Sequence, residues 1–185
     1  MNQTNSSSSY SCGCTGGAPA LKRRSFMRLA TAGAAIPFLA ATPVMAASGD
    51  YEAMIVSCID PRFQKLVTAY AEKEGLTGKY SHFVFAGASV GVVAEAFKEW
   101  RVAFWDNLAA SIQLHNIKKV IVINHRDCGA AKIAYGEAKV ANSSVELATH
   151  SEVFKEFKIQ LATKFPKLSV ITGLMDQKGV LEIVA

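Results

Sequence analysis

In Lys119-Val120-Ile121-Val122-Ile123, the last four residues are a continuously apolar, β-branched run that ends in the polar loop Asn124-His125-Arg126-Asp127-Cys128-Gly129. A run with no polar alternation predicts a strand of a parallel sheet covered on both faces. Upstream, Ala53-Met54-Ile55-Val56-Ser57-Cys58 has the same character and runs into Ile59-Asp60-Pro61-Arg62. Between and after these two runs, strand-like and helix-like segments alternate. Phe63 to Glu74 carries Phe63, Leu66, Val67 and Tyr70 on one helical face, with Gly75 just past its end. His82 to Ala86 predicts a strand leading into Gly87-Ala88-Ser89-Val90-Gly91, and a helix capped by Asp106 or Asn107 is expected to run to His115. Another helix is expected to open after Gly129, followed by a longer one with Phe154, Phe157, Leu161 and Phe165 at helical spacing up to Pro166. Leu168 to Thr172 and Val180 to Val184 predict two last strands around the turn Asp176 to Gly179. The alternation predicts an α/β fold with a mainly parallel β-sheet flanked by helices.

Two predicted strand ends carry the chemistry. Ligands bind at that edge of an open parallel sheet, and here it presents Cys58, Asp60 and Arg62 from one loop and His125 and Cys128 from the other. Two thiolates and an imidazole form a donor set suited to zinc, with one tetrahedral position left open, as in catalytic sites. Gly129 gives the chain room to turn into the next helix.

Cys-x-Asp-x-Arg followed by His-x-x-Cys-Gly resembles the β-class carbonic anhydrases, and the resemblance runs from Ile55 to about Val184. It implies that Cys58, His125 and Cys128 bind zinc and that Asp60 and Arg62 form a gating pair. Held by Arg62, Asp60 would accept a hydrogen bond at the zinc-bound hydroxide that hydrates carbon dioxide to bicarbonate. Released, it would become a fourth ligand and close the site. A homodimer is the assembly implied. The chain has Pro61 where the family usually has serine, and Val84-Phe85-Ala86-Gly87 where it usually has Arg-Asn-Ala-Gly. Phe63, Phe83 and Phe85 are candidates for an apolar wall.

Residues 1–46 read as an address. Arg23-Arg24-Ser25-Phe26-Met27-Arg28, the apolar stretch Leu29 to Ala41 and the exit Val44-Met45-Ala46 resemble a twin-arginine leader, which predicts use of the twin-arginine export machinery and cleavage near Ala46. A single domain over residues 47–185, in the periplasm or secreted, would remain. The apolar run is short for a membrane span. Cys12 and Cys14 fall in this segment. The net charge of +5 over 185 residues is concentrated there too: setting aside Lys22, Arg23, Arg24 and Arg28 leaves 16 basic against 15 acidic side chains. That balance argues against a nucleic-acid partner.

Other readings stay open at this level. Related zinc enzymes hydrolyse carbonyl sulfide or carbon disulfide, and a relative with Asp60 as permanent fourth ligand would bind zinc without catalysis. Gly87-Ala88-Ser89-Val90-Gly91 matches the G-x-S-x-G elbow of serine hydrolases, with Ser89 as nucleophile and His125 or His150 as base. A plain glycine-rich turn explains the same residues. Without metal, Cys58 and Cys128 could form a disulfide. Asp127 is either an acceptor supporting the ligands or a solvated loop carboxylate. His82, His115 and His150 are expected at the surface or half-buried.

Overall fold

The computed structural model describes residues 49–185. The leader and its cleavage point lie outside the described residues. Five strands form one sheet in the order β2-β1-β3-β4-β5, with β1 Ala53–Ser57, β2 Tyr80–Val84, β3 Lys119–His125, β4 Ser169–Met175 and β5 Leu181–Ile183. The first four run parallel, and β5 pairs antiparallel to β4. The expected mainly parallel α/β sheet is the observed one.

The apolar runs of β1 and β3 are explained by their central place, because the pleat sends alternate residues to opposite, equally covered faces. Ala53, Ile55, Ile121 and Ile123 pack under α1 (Pro61–Lys73), against Phe63, Val67 and Ala71. Met54, Val56, Val120 and Val122 face the other way, onto Phe104 and Leu108 of α3 (Arg101–His115) and Phe154, Phe157 and Leu161 of α5 (Ser143–Lys164). The phenylalanine stripe is therefore core. Each such side chain contributes about 1.5–3 kcal/mol by burial. Two shorter helices, α2 (Ser89–Val93) and α4 (Gly129–Tyr135), begin at the ends of the site-bearing loops.

Three expectations need correction. The second strand is shifted two residues upstream, since β2 pairs with β1 in the register Ala53↔Tyr80 to Ser57↔Val84. α3 starts at Arg101 rather than Asp106, after a 3-10 turn Glu95–Trp100 and without a side-chain cap. Its start is set by tertiary packing: Phe104 is fully buried in contact with the rings of Phe83, Phe85, Trp105 and Phe157. His150 is wholly buried, while His82, exposed on β2, bonds to Ser57 and His115, half-buried, bonds to Ser81. No helix among the described residues is long and apolar enough to cross a membrane.

Candidate metal centre

Cys58 leaves the end of β1, His125 ends β3 and Cys128 precedes α4, so adjacent parallel strands deliver all three to one edge. Their donor atoms lie within 4.8 Å of one another and all three residues are buried. Both cysteines are free, so the disulfide reading finds no support.

The imidazole is oriented for ligation. His125 Nδ1 lies 2.9 Å from the Arg126 carbonyl oxygen, which can only accept, so Nδ1 carries the proton and Nε2 presents its lone pair. That Nε2 is buried and has no hydrogen-bond partner among the described residues. An orphaned buried nitrogen facing two sulfurs fits a metal ion. The ring also stacks on Phe63, with centroids 4.0 Å apart. Burial pulls the imidazole down, but the Cys58 sulfur, the Arg126 carbonyl and the Asp60 charge leave it above its ordinary value.

The two sulfurs lie within 4.8 Å of each other, and each acts on the other's ionisation. The Cys128 thiol, aided by His125 and the Gly87 amide, drives Cys58 well below the thiol range against the effect of burial. Cys128 is pushed up by the Cys58 sulfur and then by burial. A divalent ion held here would take both sulfurs as thiolates, with loss of the thiol proton. Gly87, with φ of +78°, donates its N–H to Cys58 Sγ at 3.2 Å.

Asp60 stands beside this cluster and is held off it. Its Oδ1 caps α1 by accepting from Arg62 N–H at 2.9 Å, and Pro61 occupies the first helical turn, where its fixed φ is favourable. The Arg62 guanidinium grips the carboxylate from Nε, at 3.0 and 3.2 Å, and from Nη2 at 2.7 Å. These bonds lower the Asp60 carboxyl to about 2. Asp60 Oδ2 remains 4.0 Å from His125 Nε2. Arg62 is itself shared: Nη1 reaches Asp127 Oδ2 at 2.7 Å and Nη2 the Asp127 carbonyl at 3.1 Å. Asp127 thus supports the arginine rather than a ligand.

The sequence reading missed Glu146, which is buried on α5. Its Oε1 accepts from Asp127 N–H at 2.6 Å and its Oε2 lies 3.4 Å from Arg126 Nη1, clamping a loop in which Asp127 has φ of +57°. No local signal marks it, because the contact spans 19 residues. Ser89 is fully buried and bonded to Asn124, so its hydroxyl is not poised as a nucleophile. Gly87 to Gly91 is the strand-to-helix turn. Phe83 and Phe85 pack with Phe104, and among the three wall candidates Phe63 is the one stacked on a site residue.

The family model described as Putative carbonic anhydrase matches residues 49–185. An uncharacterized protein of Rickettsia bellii (strain RML369-C) is 31% identical over 129 residues, covering 70% of this chain and 79% of that protein. One from Rickettsia conorii is 30% identical over 129 residues, covering 70% of this chain and 69% of its own length. Among solved structures, the β-carbonic anhydrase CafA of Aspergillus fumigatus aligns with a TM-score of 0.50 at 16% identity, covering 76% of this chain and 78% of its own. A structure from work on two tetrameric β-carbonic anhydrases of Sordaria macrospora aligns with a TM-score of 0.51 at 11% identity, covering 76% and 83%. At these identities the structural likeness concerns the fold.

Proposed function

The chain belongs to the family described as Putative carbonic anhydrase, and from that premise we propose that it is a zinc-dependent hydratase converting carbon dioxide to bicarbonate. The observation that carries the reading is the buried, partnerless Nε2 of His125 gathered with two cysteine sulfurs beside a carboxylate gripped by Arg62.

Cys58, His125 and Cys128 hold the ion. Zinc bound there supplies Lewis acidity, which lowers the pKa of water from 15.7 to roughly 7. The protein's own groups do the rest. Asp60, ionised throughout the neutral range, accepts a hydrogen bond at Oδ2 from the attacking water and thereby fixes the direction of its lone pair. Arg62 keeps that carboxylate turned away from the ligand sulfurs by paired, charge-assisted bonds. Phe63 covers one face of the imidazole with an apolar ring. The Gly87 amide offsets part of the charge on Cys58. The test is stopped-flow hydration of carbon dioxide by protein carrying one zinc per chain. Turnover well above the buffer rate is expected, and a zinc-loaded protein at the buffer rate would refute the assignment.

Export and assembly belong to the same proposal. Arg23 and Arg24 would direct the folded chain through the twin-arginine route to the periplasm or the medium, where a homodimer is expected to work. Replacing both arginines by lysine should strand the precursor in the cytoplasm on cell fractionation. Normal export of that variant would contradict the route.

A further inference from the structure

Asn124 immediately precedes His125 and is wholly buried. Both ends of its side-chain amide are bonded. Its Oδ1 accepts from the Ser89 backbone N–H at 3.2 Å and from the Ser89 hydroxyl at 2.8 Å. Its Nδ2 lies 2.9 Å from Nδ1 of His150. A backbone N–H can only donate, so the oxygen of the amide must face Ser89 and the nitrogen must face His150. His150 Nδ1 is then an acceptor, and the ring is the neutral tautomer with its proton on Nε2. The setting agrees, since burial holds His150 down to about 4.

These three side chains tie β3, the start of α2 and the middle of α5 together at one point. Their position matters because of the turn that precedes Ser89. Gly87 has φ of +78° and Ala88 has φ of +48°, a left-handed conformation that alanine rarely adopts. The same turn aims Gly87 N–H at Cys58 Sγ. It is also tightly seated: a Cβ added at Gly87 would meet the Cβ atoms of Ala130 and Val90 at 2.9 Å. Strained backbone persists only where its surroundings hold it.

We propose that Asn124 is a positioning residue for the metal centre: through Ser89 it holds the Gly87-Ala88 turn so that the Gly87 amide reaches the Cys58 sulfur, with His150 as the brace that fixes its own amide. The proposal deepens the zinc reading and rests on Cys58 being a ligand. An amide bonded to a thiolate draws charge from the sulfur and so tunes its donation to the metal. It gives a use to the Gly-x-Ser-x-Gly stretch and to a buried histidine, neither of which the hydration chemistry employs.

The test pairs amide hydrogen exchange by NMR with the thiolate-to-cobalt absorption of cobalt-loaded protein. In Asn124→Ala the Gly87 and Ser89 amides should exchange about tenfold faster or more, and the charge-transfer band should move. Asn124→Asp should recover both signals, because it keeps an acceptor for Ser89 and can take a hydrogen bond from His150 in its other tautomer. Ser89→Ala keeps the backbone donor and loses the hydroxyl, so a smaller rise is expected; it decides the matter if Asn124→Ala does not fold. Unchanged Gly87 protection overturns the proposal. Equal loss of protection along β1 and β3 also overturns it, since that marks general loosening. If the wild-type protein takes up no cobalt, the metal reading fails instead, and the exchange result still decides the role of Asn124.

Discussion

Replacing any one of Cys58, His125 or Cys128, by serine, alanine and serine respectively, should take the zinc content from about one per chain to a small fraction of that. Each residue supplies a third of the protein donors, and the described structure offers no fourth donor ready to substitute. Asp60, the nearest candidate, is committed to Arg62 and to the N-terminus of α1. Loss of a supporting partner around a zinc site costs roughly 10–100-fold in affinity, and loss of a ligand costs more. The fold should survive each change, because the apolar clusters on the two faces of the sheet include none of the three residues and serine nearly matches the size of Cys58 and Cys128 in the third cluster, around the site. Metal analysis after dialysis, beside far-ultraviolet circular dichroism, reads both outcomes. Stoichiometric zinc in the triple variant would show the ligand assignment to be wrong.

Arg62→Ala should keep its zinc and lose most of its turnover, by about a hundredfold or more, the scale set by loss of a single preorganised electrostatic contact. In the structure the guanidinium bonds both oxygens of Asp60 and two oxygens of Asp127. Without it, Asp60 keeps only the cap bond to its Oδ1, and Oδ2, already 4.0 Å from His125 Nε2, loses the bonds that hold it aside. Asp60 should then swing onto the ion and take the place needed by water. Asp60→Asn separates the two effects, since a neutral amide cannot close the site yet is a poorer acceptor. It should hold zinc with weakened hydration. In the metal-free form of Arg62→Ala the carboxyl of Asp60 should rise from about 2 toward its ordinary value of 3.8, as the side-chain bonds that lower it are removed. Full hydration activity in Arg62→Ala across pH 6.5–9 would eliminate the gate, and zinc loss in Asp60→Asn would make Asp60 a permanent ligand.

The central part of this molecule was legible because its signals are local. The middles of β1 and β3, Ala53 to Val56 and Val120 to Ile123, are apolar without interruption, and in a parallel sheet that pattern has one good explanation. The donor residues follow directly at their ends. Edges and supports were less legible. β2 begins at Tyr80, where the register with Ala53 of β1 places it, and the alternation of Tyr80-Ser81-His82-Phe83-Val84 is too weak to mark that boundary. α3 begins where Phe104 must reach the aromatic cluster, overriding the better capping residues Asp106 and Asn107. His150 carries no sign of its burial, since its neighbours in the first half of a long helix are mostly polar. Asn124, Glu146 and His150 act across 19 to 35 residues, so their roles exist only once the sheet and α5 have come together. Asp127, placed between two ligands in sequence, supports the arginine and not a ligand.

The central claim is that Cys58, His125 and Cys128 hold a zinc ion with one position left for water while Arg62 keeps Asp60 aside. Zinc-edge X-ray absorption of the purified wild-type protein tests it most directly. Two sulfur neighbours, one imidazole nitrogen and one further light atom are expected, with that light atom exchanging for an added thiolate or azide ligand. One sulfur or none, or a fourth neighbour that no added ligand displaces, would contradict it.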